Sequence, residues 1–455
     1  MKKGYWIALG LILVLALGAF AAACGGTTTT TSASTATTAA APSSSTTAAP
    51  TSSSDTTATT AAPTSTTAAA NTSPLKFGIA ISLTGDSAAP CGQIKEAIDT
   101  EIAFINANGG INGRQINSSY VDDKSTMDGG TAAIQLLIDQ KVDVIIGPFP
   151  QWVQPPTFAL TEKAQILQMA FGPPTLDMLK APAQYKYSFS PATGVDGCTD
   201  AYVKELTADG KKNILGVGDQ MQISQETLTQ LKTALPAAGV TFTLMSDNYS
   251  LSETDFQPIA NKIAAKFKEV KPDAIILASN PTAVNPLEKA LHALGVNVPI
   301  YNQGSGSHPL PMFAGAGNDP KNVAGDYAFG PAIVNPAGVP DDYPAKKDLV
   351  AFIDRWQKGA GAKEPFGSLF LGFGYDMVHL AEQAIKNAPT QDEAGFAAGA
   401  EKIDWWGAQG HYVMSATDHV GGHGGFFQWQ YTNGQGFKLV RDLNAMPGDT
   451  VAAIK

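Results

Sequence analysis

Short apolar strands alternate with amphipathic helices from residue 75 onward, and this alternation constrains the fold more than any other feature of the sequence. The apolar run at 77–81 is followed by a helical pattern at 93–106, where isoleucine recurs at the spacing of one helix face. Strand patterns continue at 116–122, 142–146 and 166–170, separated by helical patterns at 130–140 and after the Pro155-Pro156 pair. Such an order predicts a parallel sheet covered by helices on both faces.

The same order recurs in the second half of the chain. Strand patterns at 213–217, 241–245, 274–278 and 297–301 alternate with helical patterns at 226–235, 256–270 and 285–294. The segment Lys-Val-Asp-Val-Ile-Ile at 141–146 is echoed by Lys-Pro-Asp-Ala-Ile-Ile at 271–276. We therefore expect an α/β protein with two doubly wound parallel-sheet lobes. Because ligands of such sheets bind beyond the carboxyl ends of the strands, loops of both lobes should line one cleft.

Three strand-like segments connect the predicted lobes, at 185–190, 324–331 and 409–414, and they predict a three-stranded hinge. Lobe 1 is expected to comprise residues 75–189 and 331–409, since the mostly helical stretch at 344–408 should return to it. Lobe 2 is expected to comprise residues 190–330 and 410–455. Its last part, 426–439, has the pattern of a hairpin with an Asn433-Gly434 turn.

The first 74 residues have a different composition. Residues 1–23 combine Lys2 and Lys3, an apolar run and three alanines before Cys24, which predicts an export signal. Small residues directly before a cysteine resemble the bacterial lipobox, and that resemblance implies cleavage there and acylation of Cys24, including palmitate. An ordinary secretory signal and a permanent membrane helix are the alternatives. The remainder of 24–74 holds 19 threonines and one charged residue, Asp55, and is expected to be a disordered tether.

Composition and motifs exclude several classes of function. The net charge of −10, without a Lys/Arg-rich stretch, argues against a nucleic-acid partner, and dispersed apolar residues argue against a multi-span membrane protein. No nucleotide-binding P-loop occurs, and the segment Gly-Ser-Gly-Ser-His at 304–308 lacks the spacing of a hydrolase nucleophile. Asp418, His419 and His423 lie in a glycine-rich stretch unsuited to a metal site. We expect no enzyme activity, no metal and no cofactor.

Four motifs resemble those of a known family. They are Ile-Ser-Leu-Thr-Gly at 81–85, Ile-Asn-Ala-Asn-Gly-Gly-Ile-Asn-Gly-Arg at 105–114, Asp-Asp-Lys-Ser at 122–125 and Ile-Ile-Gly-Pro at 145–148. In this order they resemble the type I periplasmic solute-binding proteins of branched-chain amino-acid ABC importers. The resemblance implies a monomer whose two lobes close on a small solute and deliver it to an ABC permease. With the lipid anchor, it implies a place on the extracytoplasmic face of the cell membrane.

The sequence departs from this family where an α-amino acid would bind. Phe149, Gln151 and Trp152 stand in place of carboxylate-binding Ser/Thr residues, and Phe171 begins a turn that also lacks them. Ile223-Ser224 replaces a Tyr-Gly pair, and Gln303 replaces the acid that pairs with the ammonium. The predicted ligand-binding residues are Asp86, Ser87, Phe149, Gln151, Trp152, Phe171, Gln222, Asn280, Gln303 and Phe329.

Aromatic rings and amides favour a neutral or aromatic solute over leucine, isoleucine or valine, because a buried charge without a partner is costly. Backbone N–H groups near Pro155 and Pro156 are the remaining candidates for holding a carboxylate. Two further alternatives stay open. Cys91 and Cys198 are either free thiols or a disulfide, since export permits one. The protein is either a transport component or a ligand-sensing receptor that acts through a separate signalling partner.

Overall fold

Two large sheets organise the part of the chain that the computed structural model describes. This part comprises residues 72–171, 184–191, 194–250, 253–279, 281–302, 325–362, 367–423, 425–432 and 436–444, together with Leu179. All of them belong to one compact unit, residues 68–455. Cys24, Asn280 and Gln303 lie outside the described residues.

Lobe 1 is built on a five-stranded parallel sheet with the strand order β2-β1-β3-β4-β5. Its elements are β1 (Leu75–Ile81), α1 (Ala88–Ala107), β2 (Ile116–Asp122), α2 (Met127–Asp139), β3 (Val144–Ile146), α3 (Pro155–Ala164), β4 (Leu167–Met169) and β5 (Ser188–Phe189). Three later helices pack on the same lobe: α8 (Lys346–Gln357), α9 (Leu369–Asn387) and α10 (Glu393–Ala400).

The lobe 1 sheet has an apolar core on each face. The predicted isoleucine stripe of α1 is buried against one face together with residues of α9 and α10, including Met377 and Phe396. The opposite face is covered by α2 and α3, with Ile134 and Leu137 in contact with strand residues such as Ile145. This two-sided burial is the doubly wound arrangement that the alternating sequence predicts.

Lobe 2 is built on a seven-stranded sheet with the order β15-β14-β10-β9-β8-β6-β7. The elements are α4 (Gly194–Ala208), β6 (Asn213–Gly218), α5 (Gln222–Ala237), β7 (Thr241–Leu244), α6 (Gln257–Val270), β8 (Ala274–Ala278), α7 (Pro281–Ala293), β9 (Ile300–Asn302), β10 (Tyr327–Pro331), β14 (Phe426–Thr432) and β15 (Gly436–Asp442). The strands β6 to β10 run parallel, whereas the predicted terminal hairpin β14–β15 adds antiparallel strands beside β10.

Both faces of the lobe 2 sheet are covered as well. Helices α4 and α5 pack on one face around Tyr202 and Leu231, and α6 and α7 pack on the other around Ile263 and Leu287. The two-lobe α/β fold predicted from the sequence is therefore confirmed.

The three connections between the lobes differ from the prediction. The predicted hinge strands fall into three sheets: β5 in lobe 1, β10 in lobe 2, and β12 (His411–Val413) between β11 (Asp404–Trp406) and β13 (Gly422–His423). Tyr412 and Met414 are buried in the lobe 1 core, and Ser190 pairs with residue Val420. Residues 411–423 thus pack with lobe 1, so the third crossing lies near Gly425 rather than at 409/410. The cause is long-range pairing, which local patterns do not encode.

No helix within the described residues is long and apolar enough to cross a membrane. The two described cysteines are free and buried in different cores, Cys91 in lobe 1 and Cys198 in lobe 2. The alternative of a disulfide between them is therefore wrong. Burial raises the pKa of each thiol to about 12, which keeps both protonated.

Candidate functional site

Two loops meet at the carboxyl edge of the lobe 1 sheet, after β1 and after β2. Asp122 binds the first loop to the second: its carboxylate accepts hydrogen bonds from the N–H groups of Leu83 (2.9 Å) and Thr84 (3.2 Å) and from the Thr84 hydroxyl (2.6 Å). Although burial acts to raise it, these bonds and the N–H of Lys124 hold the pKa of Asp122 below its ordinary value. Gly85 has φ +85°, and a Cβ there would lie 2.7 Å from the Lys124 carbonyl oxygen, so the loops approach closely only with glycine.

Asp123 lies beneath this pair of loops and is fully buried. Its Oδ1 accepts hydrogen bonds from the Ser82 hydroxyl at 2.5 Å and from the Ser125 N–H at 2.9 Å. Burial raises the pKa of Asp123, whereas these bonds and a weaker interaction with the Phe149 N–H oppose the rise. Oδ2 makes no regular hydrogen bond. Asp123 thus links the end of β1 to the loop after β2.

The loop after β3 is held in place by the side chain of Gln154. The buried Gln154 side chain donates to the carbonyl oxygens of Pro148 and Phe149, both at 3.0 Å. Helix α3 then begins with two prolines, which have no N–H, and the next N–H, that of Thr157, donates to the Gln154 carbonyl at 2.9 Å. The N–H groups that the sequence left as candidates for holding a carboxylate are thus missing or occupied in the first turn of α3.

Four phenylalanines form one cluster at this edge of lobe 1, which we call the phenylalanine cluster. The Phe149 ring packs edge-to-face on Phe171, Phe370 and Phe373, with ring centroids 5.5, 6.0 and 6.0 Å apart. Phe171 and Phe373 are also in edge-to-face contact, at 6.1 Å. Phe171 is buried, whereas the other three are only partly buried. The structure therefore brings together two predicted site residues and adds two that the sequence did not suggest.

The other predicted lobe 1 residues are spread along the rim. Trp152 is 43% exposed, and its indole N–H donates to the Ser125 carbonyl at 3.2 Å, so the ring lies on the loop after β2. Asp86 is exposed and Gln151 is half-exposed. Ser87 is buried, and its N–H donates to the Ser125 hydroxyl at 3.0 Å.

The carboxyl edge of the lobe 2 sheet is more polar. Asp219 follows β6; its Oδ1 accepts the Met221 N–H at 3.0 Å and its Oδ2 accepts the Ser279 hydroxyl at 3.2 Å. Ser224 lies nearby in sequence and Tyr249 nearby in space, and the hydroxyl of each is buried without a regular hydrogen bond to a described residue. Gln222 is exposed at the first position of α5 and donates to Glu226 at 2.7 Å.

Phe329 does not line the edge of either sheet. It is fully buried in the lobe 2 core, where its ring packs edge-to-face on Tyr202 at 4.9 Å and on Phe426 at 5.0 Å. The expectation of a ligand contact at Phe329 is therefore wrong for this structure. Alternation along β10 turns Phe329 toward helix α4, which sequence position alone did not reveal.

Among the described residues, no group of three or more His, Cys, Asp or Glu side chains is placed to hold a metal ion. His419 is fully buried; its Nδ1 lies 3.0 Å from the Ser188 carbonyl and its ring stacks on Phe189 at 3.9 Å. Burial lowers the pKa of His419. The residue thus holds the third connection against β5.

Comparisons with known proteins agree with this architecture. The family model described as periplasmic binding protein matches residues 74–435. A Leu/Ile/Val-binding protein homolog of Brucella abortus is 27% identical over 187 residues, which are 41% of this chain and half the length of that relative. BraC3, a Leu/Ile/Val-binding protein of Rhizobium johnstonii, is 24% identical over 50% of this chain and 60% of its own length.

Solved structures share the fold at low sequence identity. An extracellular ligand-binding receptor of Rhodopseudomonas palustris has a TM-score of 0.68 and 24% identity, over 81% of this chain and 99% of that one. The branched-chain amino acid transporter substrate binding protein LivJ of Streptococcus pneumoniae, in complex with isoleucine, has a TM-score of 0.64 and 19% identity, over 81% and 99%. The matched family and these relatives are binding proteins, which agrees with the prediction of a protein without enzyme activity. The chain belongs to the periplasmic binding protein family.

Proposed function

We propose that this protein captures a small organic solute between its two lobes and delivers it to an ABC importer. The observation that carries the proposal is the pair of α/β lobes, in which loops at the carboxyl edges of both sheets hold the polar and aromatic residues described above. Closure of the lobes around their three connections would enclose the solute, and a permease would receive it. We propose that the protein acts as a monomer.

The solute is, on this proposal, neutral or aromatic rather than a standard branched-chain amino acid. Solved members of this fold do not decide the point, since one holds isoleucine and a solute binding protein of Rhodopseudomonas palustris holds benzoate at 18% identity to this chain. The residues of this chain support the choice. The first turn of α3 has no free N–H for a carboxylate, and the phenylalanine cluster occupies the same edge.

Binding measurements on the mature chain in detergent test both the proposed capture of a solute and its proposed chemical class. A thermal-shift screen would cover amino acids, aromatic acids, amides and small polyols, followed by calorimetric titration. A solute at 100 times its Kd should stabilise the folded chain by about 2.7 kcal/mol. Micromolar or tighter binding of leucine, isoleucine or valine would refute the proposed solute class. Failure of every solute would refute capture itself.

We further propose that a lipid on Cys24 holds the protein at the extracytoplasmic face of the membrane. The support is the sequence alone: an apolar signal, three alanines and a cysteine, followed by a tether rich in threonine. Cells labelled with radioactive palmitate should yield labelled protein from the wild type and from Cys91→Ser and Cys198→Ser chains. Label retained in a Cys24→Ala chain would contradict the anchor.

A further inference from the structure

We propose that the phenylalanine cluster is the subsite for an uncharged aromatic ring, and that Phe370 and Phe373 of helix α9 determine its specificity. The inference rests on the proposed capture of a small solute and names the chemical class of that solute. Neither Phe370 nor Phe373 lies in a loop that follows a strand of the lobe 1 sheet. Both lie on α9, which comes after the second connection between the lobes in the chain.

The position of α9 is fixed by close packing on α1. A Cβ on Gly374 would overlap the Ile94 carbonyl oxygen, and one on Gly372 would lie 2.9 Å from the Ile333 side chain. The Ser368 side chain caps the helix by accepting the Leu371 N–H at 3.2 Å and donates to Gln93 of α1. The first turns of α9 therefore lie at the carboxyl edge of the lobe 1 sheet and hold their two phenylalanines there.

The four rings of the cluster form an edge-to-face network. Phe149 contacts the other three rings at interplanar angles of 67° to 79°, and only Phe171 is fully enclosed. Aromatic pairs prefer such edge-to-face or offset contacts to face-to-face stacking, and they contribute more than their buried area alone would give. A further ring placed on the partly buried faces of Phe149, Phe370 and Phe373 would extend this network.

The surroundings of the cluster disfavour an anionic head group. The carbonyl oxygens of Pro148 and Phe149 accept hydrogen bonds from the Gln154 side chain, and Pro155 and Pro156 leave the first two positions of α3 without an N–H. Asp122 and Asp123 place two carboxyl groups at the same edge, so a solute carboxylate would lie near acidic groups and would find no donor in the first turn of α3. An amide or hydroxyl group on the ring avoids this cost.

Three probes of nearly equal size test the inference on the mature chain in detergent. Benzamide is aromatic and neutral, cyclohexanecarboxamide is neutral without aromaticity, and benzoate is aromatic and anionic. We expect benzamide to bind about fivefold or more tightly than either of the others by ligand-observed NMR and calorimetry. Phe370→Leu and Phe373→Leu should each weaken benzamide binding by about fivefold, because leucine keeps the apolar bulk but not the ring.

The matched control is Phe104→Leu, a phenylalanine on α1 that is 39% exposed and contacts Arg355. Its benzamide affinity should stay within about twofold of the wild type. Equal or tighter binding of cyclohexanecarboxamide or benzoate would overturn the inference. Unchanged benzamide affinity in both α9 variants, together with a lowered Tm, would also overturn it, because the two phenylalanines would then contribute only to packing. Binding of none of the three probes, together with a different solute found in the broad screen, overturns the aromatic subsite and leaves capture intact.

Discussion

Replacement of Glu205 by glutamine should stabilise the folded chain at neutral pH. Glu205 lies on α4, is fully buried, and neither carboxyl oxygen has a hydrogen-bond partner among the residues that the structure describes. The neighbouring cation, Arg441, is engaged elsewhere, since its Nη1 lies 3.1 Å from Asp209 Oδ1 and 2.6 Å from Gln428 Oε1. Burial, and secondarily the charge of Asp209, raise the pKa of Glu205 well above its ordinary value, whereas Arg441 lowers it only in part.

The magnitude follows from proton linkage. The folded chain keeps the Glu205 proton, whereas the unfolded chain releases it above pH 4.5, the ordinary value. Folding then takes up a proton, so the free energy of unfolding falls by about 1.4 kcal/mol per pH unit as the pH rises. The stabilising contribution is fully present below pH 4.5 and is lost progressively above it. The loss continues until the pH reaches the folded pKa of Glu205.

Urea unfolding at several pH values, followed by fluorescence and circular dichroism, measures this difference. Glu205→Gln should be more stable than the wild type by about 1 to 3 kcal/mol at pH 7 and within about 1 kcal/mol of it at pH 4.5, because the amide stays buried but does not ionise. The exposed Glu393→Gln serves as the control and should follow the wild type at both pH values. Equal pH dependence in the wild type and in Glu205→Gln would refute the reasoning.

Three further outcomes are expected. The thiols of Cys91 and Cys198 should react with iodoacetamide only after unfolding, as peptide mass spectrometry would show, because both are buried and free. Burial lowers the pKa of His419 below its ordinary value of 6.5. The stability that depends on the neutral imidazole is therefore present above pH 6.5 and should be lost as the pH falls below that value. In thermal melts, His419→Gln should lose less stability at acidic pH than the wild type. Gly425→Ala should lower stability by about 2 kcal/mol or more in urea titrations, since φ is +101° and a Cβ would overlap the Gln409 carbonyl oxygen.

Local patterns predicted the strands well and the helix starts poorly. The strands Ile116–Asp122 and Ala274–Ala278 coincide with the prediction because turn-forming residues lie on both sides of each strand. Helix α5 begins four residues earlier than predicted, at Gln222, and α1 begins five residues earlier, at Ala88. Neither start has a side chain that caps the helix, so the usual signal of a helix start is absent from these two positions.

The hinge and half of the phenylalanine cluster could not be predicted from local sequence. Ser190 and Val420 pair across 230 positions, and such a contact follows only from the completed fold. Phe370 and Phe373 show the spacing of one helix face, which ordinarily indicates a buried core stripe. Their place beside Phe149 depends on the return of the chain to lobe 1 and on the contact of α9 with α1.

Two features of the loop after β3 support the proposed uncharged solute. Prolines at 155 and 156 carry no N–H, and the Gln154 side chain donates to the carbonyl oxygens of Pro148 and Phe149. Both features lie in one segment, residues 148–156. Restoring a carboxylate site at Phe149 alone would therefore leave the other donors missing. The polar edge of lobe 2, with buried hydroxyls at Ser224 and Tyr249, is then the place where a hydrogen-bonding substituent of the ring would be recognised.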